Sequence, residues 1–438
     1  MNEGRNWLHA RVALGSHLGL IRIERLLERL NNPHHHLKMI HVAGTNGKGS
    51  TSTYIKEMMI ASGYRVGSFI TPYIESYEDQ IQINHQSISL LRLESILLKI
   101  KPIVEEMDKD EAVKNITEFE ILTAVMLYYF AKEKVDFVVV EVGIGGTLDS
   151  TNIITPLVSV ISTIGYDHTM ILGDTLTEIA ENKAGIIKKG VPLITGYLPE
   201  EARHVIQNKV NKEGCKWYEL GEVFYTDNEI TTLSGSQFDY HFSTNVLSKI
   251  KLNLRGEYQI HNASLAITVI QLLHNKHLIQ TSNKAIYSGL EKANIVGRME
   301  VLCQKPLVMV DGAHNPQGID ALRDYVKMQF TDRNVYILFS AITTKDYHCM
   351  LEELIEVPVI QSITLTTFNH PNAMTEEVLL DLKNDYKSNH LIHVESNWKK
   401  AYQKLLRDMT EDEVLLITGS LYFISKIRPY ILENKAKK

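Results

Sequence analysis

Seven consecutive residues, Gly44-Thr45-Asn46-Gly47-Lys48-Gly49-Ser50, combine backbone freedom, a cation and hydroxyls. Glycines let backbone N–H groups turn inward around an anion. Lys48 can then meet the outer phosphates, and Ser50 the Mg²⁺ they carry. The spacing departs from the common phosphate loop, because Gly44 lies three residues before Gly47 and Gly49 separates Lys48 from Ser50. The context is still the one phosphate binding requires: an apolar run at 40–43, the glycine loop, the lysine, the hydroxyl and then a helical pattern. A nucleotide site on Asn46, Gly47, Lys48, Gly49 and Ser50 is expected.

Other polar groups stand where apolar runs end. Residues 136–142 are apolar from Phe137 until Glu141, which reads as an interior parallel strand covered on both faces. A carboxylate there is costly unless partnered. Strand C-termini in α/β sheets face ligands, so Glu141 is a candidate Mg²⁺ ligand. Thr71 lies just past the run 66–70, and the run 157–163 leads into Ile164-Gly165-Tyr166-Asp167-His168, placing His168 at another strand exit. A third cluster, Asp311-Gly312-Ala313-His314-Asn315-Pro316, follows the run 307–310. By contrast, His34-His35-His36 cannot all face one ion from regular structure and is read as loop. No Ser/His/Asp or Cys/His nucleophile pattern is readable, which argues against a covalent hydrolase.

These groups need scaffolding. Residues 20–30 carry Ile23, Leu26, Leu27 and Leu30 at helical spacing, ended by Asn31-Asn32-Pro33. A helix over 50–62 ending at Gly63, then a strand at 66–70, gives a βαβ unit around the loop. The polar stretch from Thr71-Pro72-Tyr73 to Asn84 is expected to be an excursion over the nucleotide mouth. Thr117-x-x-Glu120 and Thr175-x-x-Glu178 are capping boxes, the second opening the helix that carries Lys183. Between about 216 and 258 the pattern turns to short β-like pieces, read as a small β layer. Helical spacing returns at 259–273 and 284–292, and 294–300 reads as a hinge. Strands and helices then alternate again to the end. The expected architecture is α/β: a phosphate-loop, parallel-sheet ATPase domain over 1–296, then a smaller doubly wound domain over 297–438. ATP would bind in the cleft between them.

Composition narrows the partners. The 438 residues are 44% hydrophobic, enough for two cores, and the net charge of −6 offers no basic field for a nucleic-acid backbone. No apolar run approaches the roughly 18 residues of a membrane helix, and residues 1–10 lack a signal pattern, so a cytoplasmic protein is expected. Cys215, Cys303 and Cys349 are too few and too scattered for a disulfide framework or zinc knuckle.

Together with Gly44–Ser50 (44–50), the motifs Gly145-Gly146-Thr147-Leu148-Asp149-Ser150-Thr151-Asn152, Asp167-His168, Lys183-Ala184-Gly185, Gly297-Arg298-Met299-Glu300, 311–316 and Gly419-Ser420-Leu421-Tyr422-Phe423 resemble the folylpolyglutamate synthase/dihydrofolate synthase branch of the Mur ligases. The matches run in order over nearly the whole chain. The resemblance implies ATP-dependent amide formation: a substrate carboxylate attacks the γ-phosphate, and L-glutamate opens the resulting acyl phosphate. It also implies that Lys48 and its loop bind ATP phosphates, and that Ser50, Thr71, Glu141 and His168 hold Mg²⁺, with two ions in all. Thr71 stands where the family usually has Ser. Asn262, Arg298, Asp311 and His314 match positions contacting ATP from across the cleft, and Asp149 and Ser150 match pterin-side contacts. Lys183 matches a lysine that is carbamylated in the family.

Two departures bear on the substrate. Glu78-Asp79-Gln80-Ile81 replaces the usual Asn-Glu-Arg-Ile or -Val, and Thr147 replaces an Arg found in many members. Each removes a cation, and the acylated substrate stays open between dihydropteroate, reduced folates or both. The expected partners are that substrate, L-glutamate and ATP, without nucleic acid or membrane, in a monomer. A peptidoglycan-building Mur ligase is disfavoured, since only 43 residues precede Gly44. A regulator without ligase activity is the remaining alternative.

Overall fold

The computed structural model describes residues 2–15, 17–72, 76–386 and 391–435; Tyr73, in the stretch read as an excursion, and Met1 lie outside them. An eight-stranded sheet forms the first unit, in the order Gln86–Ser87, Ile81–Ile83, Val66–Phe69, Phe137–Glu141, Met39–Ala43, Val158–Ile161, Leu193–Thr195 and Trp217–Glu219. The last six run parallel and the first two are antiparallel additions at the edge. Alternate residues of the central strands enter opposite layers, as the pleat requires. Ile40, Val42 and Val139 pack against the helices Lys48–Ala61 and Glu257–Asn275. Met39, Val138 and Val140 pack against Ile21–Arg29, Leu90–Met107 and Glu118–Glu133. Glu141 continues the face of Val139 and so points toward the helix that begins at Lys48.

A separate antiparallel sheet, with Gly235–Phe242 between Phe224–Thr232 and Asn245–Leu252, sets Phe238, Tyr240 and Ile250 into the core shared with Ile260 and Ala263. The stretch read as a small β layer thus divides: Trp217–Glu219 is the edge of the large sheet, and the rest is this three-stranded sheet. The second unit holds six strands, ordered Glu300–Gln304, Leu307–Val310, Val414–Thr418, Val335–Phe339, Ile360–Thr367 and Ile392–Asn397, parallel except the first. In both units the polar clusters named above follow the C-terminal ends of parallel strands, and those two edges face one another. Among the described residues, no helix is long and apolar enough to cross a membrane.

Several elements differ from the sequence reading. Ile81–Ile83 is a short strand, one in from the sheet edge, inside the expected excursion, and the helices Leu90–Met107, Glu200–Glu213, Tyr347–Ile355 and Trp398–Asp408 were not expected. Pro102 lies inside the first of these helices, where it removes a backbone hydrogen bond; burial of Leu93, Ile96, Leu97, Ile100 and Val104 offsets that cost.

Candidate active site

The phosphate loop leaves Met39–Ala43 and turns at Gly47, whose φ of 82° is left-handed. A Cβ there would also come within 2.2 Å of Asn262 Oδ1, so both conformation and contact demand glycine. The Lys48 ammonium donates to the carbonyls of Gly44 at 2.9 Å and Thr45 at 3.1 Å, arched over its own loop. Its pKa is lowered by burial, against the pull of Glu141 and Asp167. Ser50 Oγ accepts from Gln259 Nε2 at 3.2 Å, and Gln259 Oε1 accepts from Asn262 Nδ2 at 3.3 Å, tying the loop to the helix Glu257–Asn275.

Glu141 is buried, and its Oε2 accepts the Thr71 N–H at 3.1 Å. Burial pushes it up to about 7, although Lys48, that N–H and Arg298 favour the charged form. Of the residues read as a metal set, Glu141, Ser50 and Thr71 offer hard oxygen donors of the kind Mg²⁺ takes, and His168 offers an imidazole nitrogen. His168 sits in a left-handed conformation at φ 50°; its side chain keeps 38% of its surface exposed, and partial burial, then Lys345, Lys48 and Lys183, lowers its pKa to about 4 against the pull of Asp167. Lys183, at the end of the helix Leu176–Lys183, is buried; among the described residues its ammonium has no hydrogen-bond or ion-pair partner. Burial, reinforced by Lys48, brings it down to about 7 despite Asp167 and Asp149. Lys48, Asp167, His168 and Lys183 line one small cavity of about 10 Å³.

Across the cleft, Arg298 donates to the Gly312 carbonyl at 3.2 Å. Asp311 is buried and accepts the N–H groups of Met299 and Ala313, each at 2.9 Å; burial raises its pKa. His314 Nδ1 lies 2.7 Å from the Gly312 carbonyl, and burial, then Lys345, hold this imidazole near 3. A cavity of about 1210 Å³ gathers Asn46 to Ser50, Thr71, Glu141, Asp149, Ser150, His168, Asn262, Arg298, Asp311 and His314; Lys183 borders the small cavity and not this one. Asp149 is the most self-satisfied of them. Its Oδ2 accepts Ile144 N–H at 2.9 Å, and its Oδ1 accepts Thr151 N–H at 2.9 Å and Thr151 Oγ1 at 2.5 Å.

The chain matches the Mur ligase middle domain over residues 42–270 and the Mur ligase glutamate ligase domain over 297–421. It is 37% identical to a dihydrofolate synthase/folylpolyglutamate synthase of Bacillus subtilis, over 97% of this chain and 98% of that one. The chain belongs to the folylpolyglutamate synthase/dihydrofolate synthase family of the Mur ligases. The fold agrees with solved family members. A Mycobacterium tuberculosis folylpolyglutamate synthase complexed with ADP and AMPPCP superposes with a TM-score of 0.89 at 27% identity, covering 98% of this chain and 97% of that one. An FPGS–AMPPCP–folate complex superposes at 0.85 with 32% identity, covering 98% and 99%.

The sequence reading assigned no role to three residues at the centre of this family site: Asp167, Asn315 and Lys345. Asp167 accepts Asn315 Nδ2 at 3.0 Å and pairs closely with Lys345. Burial alone would raise its pKa, but Lys345, His168 and His314 outweigh it and hold the carboxyl well below the usual range. The first two residues lie in motifs quoted above. Lys345 was findable by the same strand-exit rule, since it follows Val335–Phe339 by a few residues.

Proposed function

We propose that this protein is an ATP-dependent ligase that adds L-glutamate to a folate-type carboxylate through an acyl phosphate. The observation that carries this reading is a single cavity flanked by the phosphate loop with Glu141 and His168 on one wall and Arg298, Asp311 and His314 on the other. Loop N–H groups and Lys48 would bind the β- and γ-phosphates, Asn262 and Asp311 would hold the nucleotide from either side, and the Arg298 fork would meet charge developing on the transferred phosphoryl group. Ser50, Thr71, Glu141 and His168 would hold Mg²⁺, with two ions in all; bound there, the metal would neutralise phosphate charge. The substrate carboxylate attacks the γ-phosphorus, ADP leaves, and the amine of L-glutamate displaces phosphate from the acyl carbon. Asp149 and Ser150 would face the pterin side.

Lys183 is proposed as a carbamate. A free ammonium buried beside Lys48 and a metal site is disfavoured, whereas a carbamate brings an anion that can support His168. The domain division at 296/297, a monomer and a cytoplasmic setting belong to the same reading. Its test is ADP release from wild type and Lys48→Ala, offered dihydropteroate or a reduced folate with L-glutamate. Wild type should release ADP only with both co-substrates, and Lys48→Ala should stay folded without turnover. Adding hydroxylamine in place of glutamate should trap an acyl hydroxamate. ATP cleavage without phosphoryl transfer to the carboxylate would contradict the mechanism.

A further inference from the structure

Asp167 joins the two units through several bonds, and these run to the catalytic side. Its carboxylate belongs to the first unit, yet it takes Lys345 Nζ on Oδ1 and Asn315 Nδ2 on Oδ2 at 3.0 Å, both from the second unit, with His314 Nε2 3.7 Å from Oδ2. The side chains of Asp167 and Lys345 are each only 7% exposed. The same Oδ1 also accepts the His168 N–H at 2.8 Å. This bond matters because His168 stands at φ 50°, a left-handed conformation that a non-glycine residue keeps only when its surroundings enforce it.

A second path leaves from Asn315. Its amide pairs reciprocally with Asn46 of the phosphate loop, Nδ2 to Oδ1 at 3.1 Å in each direction, while Asn315 Oδ1 also accepts the Gly318 N–H at 2.8 Å as a helix cap. Asn46 is fixed from behind, its N–H reaching Thr163 Oγ1 at 2.9 Å and its carbonyl accepting Ser162 Oγ at 2.5 Å. Separating the units would therefore break the Lys345 pair and the amide pair together. It would free the Asp167 carboxylate from its cross-cleft partners, leaving its bond to the His168 N–H as a local contact on a mobile side chain.

We propose that Lys345 is a positioning residue: by pairing with Asp167 across the cleft, it fixes His168 in its working conformation only when the second unit is docked. The proposal rests on the ligase reading above, in which His168 would help to hold Mg²⁺. Domain closure and completion of the metal side are then one event, and ATP bound to the open form is not hydrolysed prematurely.

The test compares Lys345→Met, Lys345→Arg, Asp167→Asn and the double Lys345→Met/Asp167→Asn, measuring ADP release while ATP, Mg²⁺ and L-glutamate are varied in turn. Lys345→Met and Asp167→Asn should each lower kcat by about a hundredfold and raise the Mg²⁺ requirement, with AMPPCP binding changed less than about threefold. The double variant should cost no more than the worse single one, because both remove the same link. Lys345→Arg should recover at least about a tenth of wild-type kcat. If Lys345→Met misfolds, Asp167→Asn, which keeps the shape of the side chain, carries the same kcat and Mg²⁺ readout. Losses that multiply in the double variant overturn the positioning role. So does a Lys345→Met defect confined to the KM for L-glutamate, which would make Lys345 a direct substrate contact. The ligase reading fails separately, if wild type itself shows no folate- and glutamate-dependent ADP release.

Discussion

At the scale of single residues, two buried titratable groups make opposite demands on pH. Glu141 is pushed from 4.5 up to about 7, mainly by burial, so between those values the folded chain holds a proton that the unfolded chain has lost. Its contribution to stability is complete below about 4.5 and is lost as pH rises to about 7. Metal binding runs the other way, because a ligand carboxylate must be ionised. Mg²⁺ affinity should therefore fall by up to about tenfold per pH unit below about 7, and Glu141→Gln should flatten that slope. Mg²⁺ titrations of ADP release between pH 6 and 8 measure both; an unchanged slope in the Gln variant removes Glu141 from the metal site. Lys183 falls from 10.5 to about 7, so a neutral amine is accessible at ordinary pH, and that amine can attack the carbon of CO₂ and lose a proton to give the carbamate. Lys183→Ala should lose most activity while keeping its fold, with partial rescue by acetate; Lys183→Arg should not substitute, since guanidinium forms no comparable carbamate. Near-normal turnover by the Arg variant would sink the carbamate.

At the scale of elements, the helix Leu176–Lys183 shows how one segment separates stability from function. Its N-terminus is closed by a capping box, with Thr175 Oγ1 accepting Glu178 N–H at 3.2 Å and Glu178 Oε2 accepting Thr175 N–H at 3.0 Å. Thr175→Ala should cost about 0.5–2 kcal/mol of stability. Activity well below the transition should be untouched, since Lys183 sits at the other end. Gly146→Ala should behave inversely. A Cβ there would meet the Asn182 carbonyl at 2.7 Å and that of Lys183 at 3.0 Å, so the turn holding the lysine must move. We expect at least about a tenfold loss of kcat with a small change in melting temperature, because sub-ångström placement controls reactivity. Thermal unfolding and turnover of the two variants separate these effects, and parallel losses in both would refute the division of labour. This helix was readable in the sequence because its cap and its end are local signals. So were Met39–Ala43, Phe137–Glu141 and Leu307–Val310, whose largely apolar runs mark interior strands. Ile81–Ile83 was not readable, being a three-residue strand whose pairing with Val66–Phe69 is a tertiary fact. Nor was the role of Asn315, whose amide partner in the phosphate loop is 269 residues away.

At the scale of the whole molecule, the two units have their own cores but share a polar seam. Ile40, Val42 and Ile267 belong to one core and Ile337, Phe339 and Leu416 to another, each built on its own sheet. The cleft itself is bridged by the Asn46–Asn315 amides and the Asp167–Lys345 pair. Behind it, Gln329 Nε2 donates to the Thr231 carbonyl at 2.9 Å, and the Arg255 guanidinium to that of Met299 at 3.0 Å. Leu233 and Tyr258 add apolar contact with the second core. Such a seam, smaller and more polar than either core, should let the units melt separately in ligand-free protein, giving two calorimetric transitions. AMPPCP with Mg²⁺ contacts Lys48 and Glu141 on one side and Arg298, Asp311 and His314 on the other, if the proposed site is correct. It should therefore stabilise both units together, by about 2.7 kcal/mol at a ligand concentration one hundred times Kd, and draw the two transitions toward one. Lys48→Ala should keep both transitions and lose most of the shift. A nucleotide that raises only the first transition would mean that ATP binds the phosphate loop without engaging the second unit, and the cleft would have to be assigned to the other substrates alone.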